Sequence, residues 1–246
     1  MSKKVALVTG ASGGIGSAIC ERLDRDGYTV IGTYRNPAKY QEWLKKNEGK
    51  SVSKIQMVKC DVSDFGAVTE MIQSIISDFG AVDVLVNNAG ITKDGGFRKM
   101  TKENWDAVMT TNLDSVFNCC KCVIDKMVER NYGRIISISS INGQKGQFGQ
   151  VNYSAAKAGM YGFTKALALE VAKKGVTVNT ISPGYIATEM VMAVDVEIRN
   201  KIIADIPVGR LGTPEEVANT VSFLASDEAG FLTGSNIAMN GGQHMY

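Results

Sequence analysis

The chain has 246 residues, of which 44% are hydrophobic and 21% are charged, and its formal net charge is +2. This length suits a single α/β domain with a substantial core. The near balance of charge argues against a nucleic-acid binder, whose affinity depends on clustered cations. Because no run of about 18 apolar residues is present, we expect no membrane span and no membrane partner. A small-molecule enzyme fits this composition best.

The start of the chain and its cysteines predict a cytoplasmic protein. Residues 1–5 lead directly into a strand pattern, without the apolar segment of a signal peptide. The cysteines are odd in number and lack the paired spacing of a zinc site, so we expect reduced thiols. They are Cys20, Cys60, Cys119, Cys120 and Cys122. His244 is the only histidine, which excludes a histidine-based triad, and we predict no metal site.

A glycine-rich turn follows the first predicted strand, residues 4–9. Gly10-Ala11-Ser12-Gly13-Gly14-Ile15-Gly16 comes directly before a helical pattern that extends to Arg25. A strand, a glycine turn and a helix N-terminus together bind a pyrophosphate, because glycine lets the backbone approach the anion and the helix amides point at it. Glycine turns also serve purely structural ends, so this segment needs support from the rest of the chain.

The second predicted strand, residues 29–34, ends at Tyr34 and is followed by Arg35. In NAD-binding proteins an acidic residue at this place hydrogen bonds to the ribose 2′-hydroxyl. Tyr34 replaces it here, so nothing repels a 2′-phosphate, and the guanidinium of Arg35 can bind one. We therefore predict NADP(H) as the cofactor. A loop arginine is often merely solvated, and the missing carboxylate carries more of this argument.

Two further strands bring polar residues to the same edge of the sheet. Residues 37–49 form a charged amphipathic segment, and a third strand at 54–60 precedes Asp61 and Val62. From the residues alone, Asp61 is equally well a cap or turn aspartate. A helix at about 64–79 leads to a strand at 82–86 and then to Asn87-Asn88-Ala89-Gly90. Such a run suits a backbone stabilised by its own side chains beside a cofactor.

A long helix is predicted from Thr101 to Val128. Thr101 is the N-cap of an imperfect capping box, because Asn104 takes the place of the usual Glu or Gln. Asn112 lies inside this helix, where asparagine is a mediocre helix former. A polar residue buried there needs a reason.

The strongest chemical signal is Tyr153 with Lys157. A strand at 133–140 ends at Ser140, and a helix at 153–173 then puts the two side chains one turn apart on one face. A neighbouring ammonium favours the phenolate, so we expect Lys157 to lower the pKa of Tyr153 toward neutrality and make it a general acid. Tyr-x-x-x-Lys also occurs by chance, and the assignment depends on the glycine turn and Ser140 accompanying it.

The remaining elements complete the fold prediction. The 153–173 helix is apolar on nearly every side, so we expect the sheet to cover one face and another subunit to cover the other. A strand at 176–182 leads to Pro183-Gly184 and to a mobile lid at about 187–210. Thr213, Pro214 and Glu216 begin a helix, and a last strand spans 235–240. Residues 1–246 are predicted to form one α/β domain, a Rossmann fold with a doubly wound, parallel seven-stranded sheet.

These motifs, in this order, resemble those of the classical short-chain dehydrogenase/reductase family over essentially the whole chain. The resemblance implies a homotetramer and a catalytic tetrad of Asn112, Ser140, Tyr153 and Lys157. A local helix break at Asn112 would let a carbonyl hold a water linked to Lys157. The family resemblance also implies that Asp61 meets the adenine amino group. The residues that it implies for cofactor binding are Gly10, Ser12, Gly13, Gly14, Ile15, Gly16, Arg35, Asp61, Val62, Asn88, Ala89, Gly90, Tyr153, Lys157, Pro183, Gly184, Ile186 and Thr188.

Within the family, residues 142–153 and 183–188 are similar to those of reductases of 3-oxoacyl thioesters. The resemblance implies NADPH-dependent reduction of acetoacetyl-CoA to (R)-3-hydroxybutanoyl-CoA, as in polyhydroxyalkanoate synthesis. One alternative is a 3-oxoacyl group on the acyl-carrier protein of fatty-acid synthesis. An alternative of another class is a non-catalytic dinucleotide sensor or scaffold on the same fold.

The loop between Ser140 and Tyr153 should form one wall of the acyl site, because both of its ends are catalytic. A phenyl ring there would shorten the pocket, and glutamine amides would bind the thioester carbonyl and pantetheine, unless these side chains merely pack the loop. The predicted substrate-binding residues are Ser140, Gln147, Phe148, Gln150, Tyr153 and Tyr185. A carrier protein has an acidic docking surface and would need a basic patch beside the mouth, for which the chain offers Arg130, Lys173 and Lys174.

Overall fold

A parallel sheet forms the centre of the protein in the computed structural model, which describes residues 3–245. Within that range the strands are β1 (Val5–Val8), β2 (Thr29–Tyr34), β3 (Gln56–Lys59), β4 (Val84–Asn87), β5 (Gly133–Ile138), β6 (Val176–Pro183) and β7 (Asn236–Met239). Their spatial order is β3-β2-β1-β4-β5-β6-β7, and every neighbouring pair is parallel. The order reverses between β1 and β4, which confirms the predicted doubly wound Rossmann topology.

Helices cover both faces of this sheet. They are α1 (Gly14–Arg25), α2 (Pro37–Lys46), α3 (Phe65–Phe79), α4 (Lys102–Met109), α5 (Ser115–Glu129), α6 (Ile141–Lys145), α7 (Val151–Val171), α8 (Glu189–Met192), α9 (Val196–Ala204) and α10 (Pro214–Ala225). Residues of α3, α5 and α7 share one buried cluster, and residues of α1, α2 and α10 share the other.

The strands read as continuous apolar runs because both of their faces are buried. In β1, Leu7 belongs to the cluster under α3, α5 and α7, whereas Ala6 and Val8 belong to the opposite cluster. Alternate side chains of a strand point to opposite faces, so a sheet covered on both sides needs apolar residues at every position. The two buried clusters therefore hold the strands in place, and the loops that line the site begin where these strands end.

The long helix predicted from Thr101 to Val128 is interrupted. Thr101 caps α4, accepting a hydrogen bond from the backbone N of Asn104 at 3.2 Å, but residues 110–114 form a π-helical turn before α5 begins. The side-chain amide of Asn112 is hydrogen bonded at both of its ends. Its Oδ1 accepts from the N of Ile91 at 2.8 Å, and its Nδ2 donates to the O of Ile91 at 2.9 Å. The break that the family resemblance implied is present.

Other differences from the sequence prediction are small. Residues 51–54 form a 3₁₀ turn, so the third strand is shorter than predicted, and the fifth strand ends at Ile138 rather than at Ser140. The predicted start of α10 is confirmed: Thr213 Oγ1 accepts from the N of Glu216 at 3.2 Å, and the Glu216 carboxylate accepts from the N of Thr213 at 2.8 Å.

Two expectations concern the membrane and the start of the chain. Among residues 3–245, no helix combines the length and the apolar character that a membrane span requires. Met1 and Ser2, which belong to the segment from which we expected no leader sequence, lie outside the described residues, as does Tyr246. None of the five cysteines in the described range is in a disulfide.

Candidate active site

A cavity of about 930 Å³ lies at the carboxyl ends of the strands. This is the crevice where open parallel sheets bind ligands, at the point where the strand order reverses. Every predicted cofactor-binding residue lines it: Gly10, Ser12, Gly13, Gly14, Ile15, Gly16, Arg35, Asp61, Val62, Asn88, Ala89, Gly90, Tyr153, Lys157, Pro183, Gly184, Ile186 and Thr188. The structure thus brings the predicted motifs together, and a cavity of this size is large enough for a dinucleotide.

The glycine turn leaves the N-terminus of α1 open to the cavity. Gly13 is the N-cap and contributes no side-chain hydrogen bond, so the first amides of α1 keep their capacity to bind an anion. Gly10 has a φ of +64°, and a Cβ on Gly16 would lie 2.3 Å from the carbonyl oxygen of Gly10. Larger residues therefore cannot replace these glycines without moving the backbone, and the turn fits the diphosphate of a nicotinamide dinucleotide.

Thr9 and Asn88 join the glycine turn to the end of β4. The hydroxyl of Thr9 accepts from the backbone N of Asn88 and of Ala89, at 3.0 Å each. The Asn88 amide donates to the carbonyls of Thr9 at 2.9 Å and Gly10 at 3.1 Å. Asn88 thus stabilises the backbone beside the cavity, as its residue type suggested. Thr9 was not among the predicted site residues, because it looks like an ordinary end of a strand.

Charges gather at the end of β2. Arg35 lines the cavity, and its Nη1 lies 4.0 Å from Oδ2 of Asp61. Asp61 also forms the turn suggested as its alternative role, since its Oδ1 accepts from the N of Ser63 at 3.1 Å and from its hydroxyl at 2.6 Å. Lys39, in the first turns of α2, lines the same end of the cavity and was missed from the sequence. Its place in the first turns of α2, where side chains tilt toward the helix N-terminus, is the signal that could have indicated it.

Tyr153 and Lys157 lie on one face of α7, as predicted. The ammonium of Lys157 donates to the carbonyl of Ile138 at 2.6 Å and lies 5.6 Å from the centre of the Tyr153 ring. Burial lowers the pKa of Lys157 to about 8. Burial likewise raises the pKa of Tyr153, against a smaller lowering by a hydrogen bond from Ser140.

The expected lowering of the Tyr153 pKa by Lys157 was therefore wrong in direction for this structure. Desolvation of the phenol outweighs the hydrogen bond, and Lys157 gives its own hydrogen bond to Ile138. The consequence for chemistry is favourable, because a tyrosine with a raised pKa keeps its proton at neutral pH. Tyr153 can thus serve as a proton donor to an oxygen beside it.

The other two tetrad candidates lie next to this pair. Ser140 is the N-cap of α6, and its hydroxyl lines the same cavity as Tyr153, where it lowers the pKa of the phenol. Asn112 is fully buried behind the cavity. A Cβ added to Gly90 would lie 3.3 Å from Asn112 Oδ1 and 3.6 Å from Lys157 Nζ. Gly90 therefore lies close to both polar groups, and a side chain there would press on the Asn112 amide.

The predicted substrate wall is only partly present. Tyr185 and Gln150 line the cavity together with Ser140 and Tyr153, but Gln147 and Phe148 do not. The Phe148 ring is 93% exposed, so it does not shorten the pocket in this structure, and the prediction that it forms a wall needs correction. The physical reason lies in the loop, where Gly146 and Gly149 adopt positive φ values and turn the intervening residues outward.

Two neighbouring polar residues at the substrate end were not predicted. Asp94 lines the cavity and accepts a hydrogen bond from Gln150, and Asn142 donates one to Gln150. The sequence indicated Asn142 only as a member of residues 142–153, which are similar to those of 3-oxoacyl thioester reductases. Asp94 lies in a loop whose path the sequence does not predict. No group of three or more candidate metal ligands lies together in residues 3–245.

Comparison with known proteins agrees with this geometry. The sequence family described as Enoyl-(Acyl carrier protein) reductase matches residues 10–244. With full-length relatives that are about half identical, this places the chain in a class of oxidoreductases that use a nicotinamide dinucleotide and act on a CH–OH group. The chain belongs to the short-chain dehydrogenase/reductase family.

Individual relatives match over nearly their whole length. The acetoacetyl-CoA reductase of Cupriavidus necator is 53% identical over 246 residues and covers 100% of both chains. The acetoacetyl-CoA reductase of Shinella zoogloeoides is 56% identical over 241 residues, 98% of each chain. The 3-oxoacyl-[acyl-carrier-protein] reductase FabG of Vibrio cholerae is 46% identical over 245 residues, again 98% of each chain.

Proposed function

We propose that this protein reduces acetoacetyl-CoA to (R)-3-hydroxybutanoyl-CoA with NADPH, in the cytoplasm and within polyhydroxybutyrate synthesis. The observation that carries the proposal is that Ser140, Tyr153 and Lys157 line one cavity together with the glycine turn. Full-length relatives that are 53% and 56% identical bear the name acetoacetyl-CoA reductase. The unpaired cysteines suit a reducing compartment.

The tetrad would divide the work of carbonyl reduction. When bound, NADPH supplies a hydride from C4 of its nicotinamide. The hydroxyl of Ser140 would hold the substrate oxygen, and Tyr153 would donate its proton to that oxygen as negative charge develops there. Lys157 would bind the ribose, while Asn112 shapes the turn whose carbonyl would hold a water linked to Lys157.

NADPH is proposed over NADH because of the charges at the end of β2. Arg35 and Lys39 both line the cavity there, and two cations suit a 2′-phosphate. The aromatic ring of Tyr34, where NAD-binding proteins have a carboxylate, stacks on Tyr40 with centroids 4.0 Å apart. Asp61 would meet the adenine amino group, and Thr188 would meet the carboxamide.

Coenzyme A is proposed over a carrier protein because the expected basic patch is not at the mouth. Arg130 binds Asp83 at 2.8 Å, and Asp83 directly precedes β4. Lys173 and Lys174 form a turn that precedes β6. All three cations therefore lie at the amino ends of the strands, opposite the cavity. Within one chain they provide no docking surface beside Tyr185.

Reduction of a 3-oxoacyl group on carrier protein is the second candidate, because FabG of Vibrio cholerae is 46% identical. A sensor or scaffold without activity is the third, and the assembled Ser140–Tyr153–Lys157 site argues against it. The test measures NADPH oxidation with acetoacetyl-CoA and with acetoacetyl-carrier protein, and identifies the enantiomer formed. A higher catalytic efficiency on acetoacetyl-CoA, with an (R) product, supports the proposal. A clear preference for the carrier protein would favour the second candidate, and no oxidation of NADPH would favour the third.

We also propose a homotetramer, because α7 keeps an uncovered apolar face. Ala158, Gly162, Ala166 and Leu169 are exposed along one side of α7, and Leu169 is 85% exposed. Close packing of a second helix suits such a stripe, since its small residues allow the backbones to approach.

Residues 187–210 are proposed as the lid, because Met190, Val191 and Val194 line the cavity and Glu189 forms an ion pair with Lys46 across its edge.

A further inference from the structure

A chain of three polar side chains connects the loop after β4 to Ser140. Gln150 Nε2 donates to Asp94 Oδ2 at 2.9 Å, and Asn142 Nδ2 donates to Gln150 Oε1 at 2.9 Å. The backbone N of Asn142 in turn donates to Ser140 Oγ at 3.1 Å. These contacts span the segment that holds Ser140 and the start of the helix that holds Tyr153.

Asp94 determines which groups donate and which accept in the hydrogen bonds between these three side chains. A carboxylate only accepts, so Asp94 orients the Gln150 amide with its nitrogen outward and its oxygen toward Asn142. That oxygen accepts from the amide nitrogen of Asn142. The far atom, Asn142 Oδ1, is buried without a partner among the described residues, so the bond to Gln150 is what holds this amide.

These hydrogen bonds bridge the loop between α6 and α7. Ser140 caps α6 and Tyr153 lies in the first turn of α7, and the linking loop contains Gly146 and Gly149 with positive φ values. The hydrogen bond between Asn142 and Gln150 joins the two helices directly across this loop. Ser140 Oγ accepts from the backbone N of Asn142, so the position of Asn142 fixes the oxygen of this hydroxyl at the start of α6.

We propose that Asn142 and Gln150, oriented by Asp94, are positioning residues that hold the Ser140 hydroxyl in the cavity it shares with Tyr153. This inference rests on the proposed carbonyl reduction and gives Gln150 a different task from the predicted one. Both polar ends of the Gln150 amide are already used within the protein, so it does not need the thioester to be satisfied. Asp94, Gln150 and Asn142 are called the positioning network below.

The test separates positioning from substrate binding by steady-state kinetics. Gln150→Met removes the amide with little change in size, and it should lower kcat about tenfold to hundredfold while KM for acetoacetyl-CoA stays unchanged, since small misplacements have costs of that order. Asn142→Leu should behave alike. The double variant should lose no more than the more damaged single variant, because both act through Ser140.

A matched pair at Asp94 tests the orienting role on an exposed residue. Asp94→Asn keeps an acceptor for the Gln150 amide and should retain most of kcat, whereas Asp94→Ala should share the loss of Gln150→Met. Asp106→Asn is the control, because Asp106 pairs with Lys102 and does not line the cavity. Hydrogen–deuterium exchange over residues 140–150 should rise in Asp94→Ala and Gln150→Met, and stay unchanged in Asp106→Asn.

Three outcomes would overturn the proposal. A raised KM with unchanged kcat in Gln150→Met would show that the amide binds substrate instead. Additive losses in the double variant, or equal activity of Asp94→Asn and Asp94→Ala, would show that the contacts do not act together. Ethyl acetoacetate serves as a second substrate in every assay. If the wild-type protein reduces this ester but not the thioester, only the substrate assignment is contradicted. The positioning network is then tested with the ester.

Discussion

At the scale of single residues, the site depends on the half-buried Tyr153 and the buried Lys157, whose pKa values are both moved by desolvation. Burial raises the pKa of Tyr153 and lowers that of Lys157 to about 8. Each shift favours the neutral form. The tyrosine thereby keeps the proton it is to donate, and the lysine is charged at neutral pH at the expense of stability. The buried ammonium relies on the carbonyl of Ile138.

Lys157 makes a testable contribution to stability against pH. Its folded pKa, about 8, lies below the ordinary value of 10.5, so the unfolded chain binds more protons between these two values. Stability should therefore rise as pH increases from 8 toward 10.5, by up to about 3 kcal/mol from this residue. Below pH 8 both states are protonated and the full penalty remains.

Denaturant unfolding of wild type and Lys157→Met across pH 7 to 10 measures this effect. The variant should lack the rise, so the difference in unfolding free energy between the two proteins should change with pH. The comparison uses the slopes of unfolding free energy against pH rather than the free energies themselves. This cancels the effect of the substitution on packing and the titration of other groups. Parallel curves for the two proteins would show that Lys157 has an ordinary pKa.

Cofactor choice is a second prediction at this scale. Tyr34→Asp together with Arg35→Ser should lower the catalytic efficiency with NADPH about tenfold to hundredfold, since one or two charge-assisted hydrogen bonds to the phosphate are lost. It should raise the relative use of NADH. Lys45→Ser, in the same helix as Lys39 but outside the cavity, is the control. A wild-type protein that is more efficient with NADH would contradict the assignment.

At the scale of elements, sequence patterns were sufficient where one local rule acts. The start of α10 followed from Thr213 and Glu216, and the Tyr153 helix from its spacing. The π-helical turn at 110–114 did not follow from local rules, because it depends on hydrogen bonds between Asn112 and the distant backbone of Ile91. Phe148 was misplaced for a similar reason: loop direction depends on backbone angles that alternation patterns do not encode.

The lid prediction also belongs to this scale. Trypsin should cut within residues 187–210 at Arg199 or Lys201 in α9, and NADPH should slow this cleavage because the lid contributes Met190 and Val194 to the cavity. Cleavage at Lys174, in the turn at the opposite edge of the sheet, is the internal control and should not respond. Equal cleavage of the lid with and without NADPH would contradict the assignment of residues 187–210 as the lid.

At the scale of the whole molecule, one face of the described fold carries exposed apolar side chains. The exposed stripe on α7 lies on the same side of the sheet as α5, where Phe117 stacks on Phe65 with centroids 6.4 Å apart and both rings are about half exposed. Apolar surface on adjacent helices is what an interface between copies requires. The sequence predicted the apolar face of α7 correctly, but periodicity could not show which residues the sheet leaves uncovered.

The oligomer prediction can be tested by one substitution. Ala166→Arg places a charge in the middle of the stripe and should shift sedimentation from a tetramer to smaller species at micromolar concentration. Ser51→Arg, in the 3₁₀ turn before β3, adds the same charge elsewhere and should leave the assembly unchanged. A monomeric wild-type protein would contradict the proposed tetramer, and an unaffected tetramer in Ala166→Arg would place the interface on another face.

The most direct test of the account is the pair of wild type and Tyr153→Phe, assayed with NADPH and acetoacetyl-CoA. The substitution removes only the phenolic oxygen, so NADPH binding measured by fluorescence should be retained. Turnover should fall by roughly 10² to 10⁴-fold, the usual worth of a general acid. The account predicts reduction by wild type and its loss in a variant that still binds the cofactor. Near-normal turnover in Tyr153→Phe would contradict it.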